Sequence, residues 1–70
     1  MNDKNARYQL EFRLKGDLNW KDGSSFSSLR DAKHCVDATI NHVQQVLEGR
    51  VFDWKLMAYR YYRAAFPFKP

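Results

Sequence analysis

From Arg7 to Lys15 the chain alternates without interruption, with Tyr8, Leu10, Phe12 and Leu14 on one side and Arg7, Gln9, Glu11 and Arg13 on the other. A period of two over this length predicts a β-strand with one buried and one wet face. One-sided burial of that kind favours an antiparallel sheet. Gly16-Asp17 reads as a turn, and Leu18–Asp22 as a short second strand running back along the first. A three-residue loop at 15–17 would set Leu18 opposite Leu14 and Trp20 opposite Phe12, all four on the buried side. Asp22-Gly-Ser-Ser then closes the hairpin.

The period changes near residue 28. Ser28 and Asp31 form an S-x-x-D cap, and the stretch Phe26–Lys33 carries structural meaning only, the start of a helix. Leu29, Ala32, Val36, Ile40, Val43 and Leu47 recur every three or four residues, opposite Arg30, His34, Asp37, Asn41 and Gln45. That is one stripe of an amphipathic helix. Gly49 stands where a left-handed C-cap belongs, so the expectation is a helix of about twenty residues lying on the sheet.

Residues 53–66 fit two patterns. As a strand, Phe52, Trp54, Leu56, Ala58 and Tyr62 share a face interrupted by Arg60, with Asp53, Lys55, Met57, Tyr59, Tyr61 and Arg63 on the other. As a helix, Asp53 would cap a stripe of Trp54, Met57, Ala58, Tyr61 and Ala65. The strand is preferred, because a lone hairpin is marginal and a third strand gives the helix a sheet to cover. The expected fold is therefore α+β, order β-β-α-β, with one helix on one face of a small antiparallel sheet. The alternative is β-β-α-α with residues 53–66 helical. The expected core is Leu10, Phe12, Leu14, Trp20, Leu29, Val36, Ile40, Val43, Leu47, Trp54 and Leu56. Residues 1–6 are polar and read as frayed, whereas Phe66-Pro-Phe-Lys-Pro70 is apolar enough to pack on this chain or another.

Seventy residues make one small domain, whose single core supplies roughly 3–5 kcal/mol. Good packing or a partner subunit is then needed, since the lone Cys35 cannot form an internal disulfide. No apolar run approaches a membrane span, and Met1-Asn-Asp-Lys-Asn lacks the apolar stretch of a secretory signal, which gives a cytoplasmic expectation and no membrane partner. The net charge of +4 is unevenly placed. Residues 1–49 balance, while residues 50–70 carry Arg50, Lys55, Arg60, Arg63 and Lys69 against Asp53 alone. The same segment holds Phe52, Trp54, Tyr59, Tyr61, Tyr62, Phe66 and Phe68 of the chain's aromatic residues.

Catalytic and metal chemistry find little purchase. His34 lies beside Cys35 in sequence, about 100° around a helix, and His42 would lie about 10 Å along it, so neither forms a Cys–His pair. Asp31 and Cys35 have i, i+4 spacing, but that pair alone is not a recognisable metal site, and no C-x-x-C is present. The carboxylates are scattered, and Gly16, Gly23 and Gly49 read as turns or caps rather than a phosphate loop. No cofactor and no enzymatic activity are expected, nor a small-molecule substrate, because so short a chain leaves little volume for a closed pocket.

Surfaces remain. If the tail pairs beside the first strand, Arg7, Arg13, Lys55 and Arg63 would surround Met57, Tyr59 and Tyr61 on the face away from the helix, with Arg60, Phe66 and Phe68 nearby. Aromatic residues and arginine are the anchors of protein interfaces, so a non-enzymatic adaptor, regulator or inhibitor acting on a protein partner, and as a homodimer, is the first reading. Cations interleaved with flat rings also suit phosphate contact and base stacking, which makes a nucleic-acid-binding regulator the alternative.

Overall fold

The computed structural model describes residues 6–65. The expectations for residues 1–5 and for the apolar tip at 66–70 lie outside them. The described chain runs β1 (Tyr8–Leu14), β2 (Lys21–Phe26), α1 (Leu29–His42), β3 (Val46–Asp53) and β4 (Ala58–Ala64). The strands form one antiparallel sheet in the order β2-β1-β3-β4, an α+β fold with its helix between the second and third strands. Because β2 and β3 both run antiparallel to β1, they are parallel to each other, and α1 carries the chain across β1 from one to the other. The helical alternative for the tail is not what forms; its residues make the end of β3, a turn and β4.

The alternation of β1 holds. Tyr8 and Leu10 are buried, and Phe12 and Leu14 pack against the same core. Ser28 caps α1 in an extended conformation, its Oγ accepting from the Asp31 backbone N–H at 3.4 Å. The helix is shorter than its stripe suggests. It ends at Val43, whose N–H reaches the Thr39 carbonyl at 2.8 Å, and a tight bend brings the Val46 N–H to the Val43 carbonyl. Val43 is exposed, and Leu47 belongs to β3, where it is the extra residue of a bulge between the pairs Arg13–Glu48 and Leu14–Val46. The valines at 46 and 51 favour a strand, and pairing with β1 outweighs continuation of a helix whose last polar turn has nothing more to bury.

Two further departures share a cause. The second strand begins at Lys21, not Leu18, and runs through the Gly-Ser-Ser that was expected to end it. Phe12 therefore pairs with Lys21, Leu18 stands in the loop at 92 % exposure, and Trp20 leaves the core for the opposite face of the sheet. Gly49 lies within β3 opposite Phe12, so it is no helix cap. A Cβ at Gly23 or Gly49 would come within 2.9 Å of the Phe12 ring, which occupies the space left by both glycines on the neighbouring strands. Only Gly16 is a turn glycine in the conformational sense, with φ +89°. The buried apolar set is Tyr8, Leu10, Ala32, Val36, Ile40, Val46 and Val51, with Trp54 and Leu56 out in solvent on the β3–β4 turn.

The seat beneath Phe12 is testable. Gly49→Ala would place its methyl at 2.9 Å from the Phe12 ring and 3.0 Å from Val36 Cγ1. Overpacking of this kind should cost about 1–3 kcal/mol in urea unfolding, and Phe12→Leu in the same chain should recover part of it. An unchanged urea midpoint would show that the ring does not sit there.

Candidate protein-binding surface

The end of β3 is fixed by a carboxylate with no solvent exposure. Asp53 accepts from Arg7 through two parallel bonds, Nε to Oδ1 and Nη2 to Oδ2, both 2.8 Å. Arg60 Nη1 adds a third at 2.8 Å, and the backbone N–H groups of Lys55 and Leu56 donate to Oδ1 at 2.9 and 3.2 Å. A buried carboxylate is tolerated only when its oxygens are satisfied, and here five donors converge on them. The Arg7 hydrogen bond above all, helped by the two backbone N–H groups and Arg60, holds the Asp53 carboxyl well below the usual carboxylate range, against a smaller opposing effect of burial. The result is a rigid turn over residues 54–57, tied also by the Trp54 N–H to the Arg7 carbonyl at 2.9 Å.

That turn displays apolar side chains. Trp54 and Leu56 are each 54 % exposed and Met57 67 %. Met57 holds φ +52°, a left-handed conformation that glycine or asparagine would adopt with less strain. Phe52 makes edge-to-face contacts with both Trp54 and Tyr59, with ring centroids 5.0 Å away in each case. The aromatic group continues across the face of the sheet that α1 does not cover. There the Arg50 guanidinium lies between Trp20 at 3.8 Å and Tyr59 at 4.2 Å, while its Nε donates to Glu11 at 2.6 Å. Beside it Arg13 pairs with Glu48, which also accepts from the Tyr62 hydroxyl and is held below the usual carboxylate range chiefly by that bond.

The structure divides the residues that a single-strand tail would have gathered. A bulge in β4 sets Phe52 opposite Tyr59 but Val51 opposite Tyr61, leaving Arg60 as the extra residue. Tyr59 therefore lies on the open face and Tyr61 on the helix side. The Tyr61 hydroxyl donates to Asp37 of α1 at 2.6 Å, and Arg63 pairs with the same Asp37 at 3.1 Å and with Asn41. Hydrogen bonding from Tyr61 first, then Arg63, lowers the Asp37 carboxyl, and the same Asp37 contact raises the Tyr61 phenol. Arg7 and Arg60 serve Asp53, Arg13 remains on the open face, and Lys55 and Met57 sit in the turn. The expected platform of Arg7, Arg13, Lys55, Met57, Tyr59, Tyr61 and Arg63 on one face is thus not assembled, because the turn and the bulge change the parity. Phe66 and Phe68 lie outside the described residues. Trp20, Phe52, Trp54 and Tyr62 join the surface instead; Trp20 and Trp54 were expected in the core, and the Trp20–Arg50 stack has no local signal in the sequence.

Among the described residues no group of three or more His, Cys, Asp or Glu side chains is placed to hold a metal ion. Cys35 is half-buried, with its Sγ 4.0 Å from the Thr39 hydroxyl. The chain matches no protein-family model, no curated protein and no solved structure.

Two stability measurements probe the turn. Asp53 has a folded-state pKa below its unfolded value near 3.9, so its contribution is complete above that value and is lost as pH falls through the acid range. Asp53→Asn should therefore lower the urea midpoint clearly at pH 7, and the gap from the parent should shrink steadily below about pH 4. A gap independent of pH would mean that the charge is not what matters. Met57→Gly should raise stability by up to about 1 kcal/mol, relief of the left-handed strain exceeding the added chain entropy. Loss of stability in thermal unfolding would show that the Met57 side chain packs in the folded chain.

Proposed function

We propose that this chain is a non-enzymatic binding module of the cytoplasm, an adaptor, regulator or inhibitor, that engages a protein partner through the apolar β3–β4 turn and the aromatic open face, and that works as a homodimer. The observation that carries this reading is the turn itself. Trp54, Leu56 and Met57 stand in solvent on a backbone clamped by a buried carboxylate, one of them in a strained conformation. Beyond the contact of Trp54 with Phe52, more than half of each side chain's surface stays in water after folding. A knob already ordered loses little entropy on docking, which is how small interfaces reach useful affinity.

The state of the arginines weighs against the nucleic-acid alternative. Arg7 and Arg60 share Asp53, Arg13 is bound to Glu48, Arg50 to Glu11 and Arg63 to Asp37. A phosphate would have to displace a carboxylate at each, giving up a contact for every one gained. The open face, where Arg13 and Arg50 meet Glu11 and Glu48, is close to neutral and suits a protein surface better than a polyanion. No described helix is long and apolar enough to cross a membrane.

Sedimentation of the pure chain at about 50 and 500 mM salt, with and without a short random oligonucleotide, checks the reading. The expected result is a dimer whose mass responds to neither salt nor oligonucleotide. A monomer that shifts only with oligonucleotide, and only at low salt, would make the nucleic-acid reading the correct one.

A further inference from the structure

The sheet has two edges. At one, β2 is polar, with Lys21 paired to Asp17. At the other, β4 has a neighbour on one side only, among the described residues, and reads Ala-Tyr-Arg-Tyr-Tyr-Arg-Ala. An open edge is a template for another strand, and proteins usually guard it with charge. Here the two charges of β4 are drawn off it, Arg60 onto Asp53 and Arg63 onto Asp37 and Asn41.

The hydrogen-bonding direction along β4 follows from one bond. The Ala65 N–H reaches the Leu47 carbonyl at 2.8 Å, so Ala65 addresses β3, as do Arg63 and Tyr61 by alternation, opposite Gly49 and Val51. Tyr62 and Ala64 therefore direct their backbone N–H and C=O outward. An antiparallel copy of β4 set with Tyr62 opposite Tyr62 would let the two Tyr62 residues exchange both backbone bonds, with Ala64 opposite the bulged Arg60. On the helix side Tyr61 would stand opposite Arg63, twice, by symmetry. Registers centred on Tyr61 lack this match, because the bulge would put Tyr59 of the open face opposite Arg63 of the helix side.

We infer that the edge of β4 is a self-recognition site, whose occupant is β4 of a second copy of this chain, joined antiparallel about Tyr62 to give one eight-stranded sheet. The occupant is a second copy because this register sets Tyr61 opposite Arg63 at two symmetric places, and because Arg60 and Arg63 are already neutralised within each chain. Two such strands therefore meet without the repulsion that four free cations would impose. This inference rests on the homodimer of the proposed function and assigns it to the edge rather than to the aromatic face.

Ala64→Pro tests it. Proline removes an N–H that makes no bond to β3, so the sheet of each chain survives while the seam loses a donor from both copies. The dimer dissociation constant in sedimentation equilibrium should rise more than tenfold, while Trp54→Ala leaves it within about twofold. Amide hydrogen exchange of the parent chain provides a reading that needs no variant. Tyr62 and Ala64 should be protected to the degree of Tyr61 and Arg63, and their exchange at the rate of solvent-exposed amides would overturn the inference. A dimer that survives Ala64→Pro but is lost in Trp54→Ala would also overturn it, leaving self-association through the aromatic surface. A parent chain monomeric at all concentrations would remove both the edge site and the homodimer.

Discussion

An ionised carboxylate is costly to take out of water, and Asp53 has no exposed surface at all. It is accommodated because three separate parts of the chain bring donors to it: Arg7 ahead of β1, the backbone of the 54–57 turn, and Arg60 in β4. Each would otherwise be a loose end. The segment before a first strand tends to fray, a four-residue hairpin turn has many conformations, and the bulged residue of an edge strand has no cross-strand partner. One side chain fixes all three, and it occupies the same face of β3 as Gly49 and Val51. The apolar core and the ion cluster thus form one continuous layer beneath α1, with the polar part at the end where the turn projects.

Much of this fold was legible along the chain, and the limits have physical reasons. The alternation of β1 was legible because a half-buried strand needs only local polarity to declare itself. The start of α1 was legible because Ser28 acts within three residues of its own position. The end of α1 was not, since Val43 and Leu47 continue the helical spacing while also suiting a strand, and only pairing with β1 decides between them. The place of β2 depended on the Phe12 ring filling the space above Gly23 and Gly49, a relation across three strands that no local turn rule contains. The β-β-α-β order survived these shifts because it needed only the kinds of elements and their succession, and dividing the tail at its turn added a fourth strand after it.

The candidate surface shows the same division. That the C-terminal segment holds most of the rings was visible in composition, whereas the exposure of Trp54, expected in the core, was not. Which rings share a face was not visible either, because the bulge at Arg60 puts Tyr59 and Tyr61 on opposite faces where simple alternation keeps them on one. The charge excess was misleading for a related reason. Counting placed five cations against one carboxylate in the tail, but the carboxylates that neutralise Arg50 and Arg63 come from Glu11 and Asp37, 39 and 26 residues away in sequence. Local charge becomes a surface property only after the fold has distributed its partners.

The two proposed contacts are compatible in space, and their geometry bears on how such a module would act. A two-fold axis at Tyr62, perpendicular to the sheet, keeps both helices on one side and joins the two open faces on the other. The 54–57 turn precedes β4, so antiparallel strands carry the two turns to opposite ends of the seam, where neither obstructs the other. A dimer built this way presents two rigid apolar knobs at a fixed separation. A partner with two matching grooves would meet the second at high effective concentration once the first is engaged, which strengthens binding without any new contact. A partner with one groove would gain nothing from the pairing. The edge therefore adds selectivity for repeated or symmetric partners to a surface that, on a single chain, offers little more than a well-held cluster of rings.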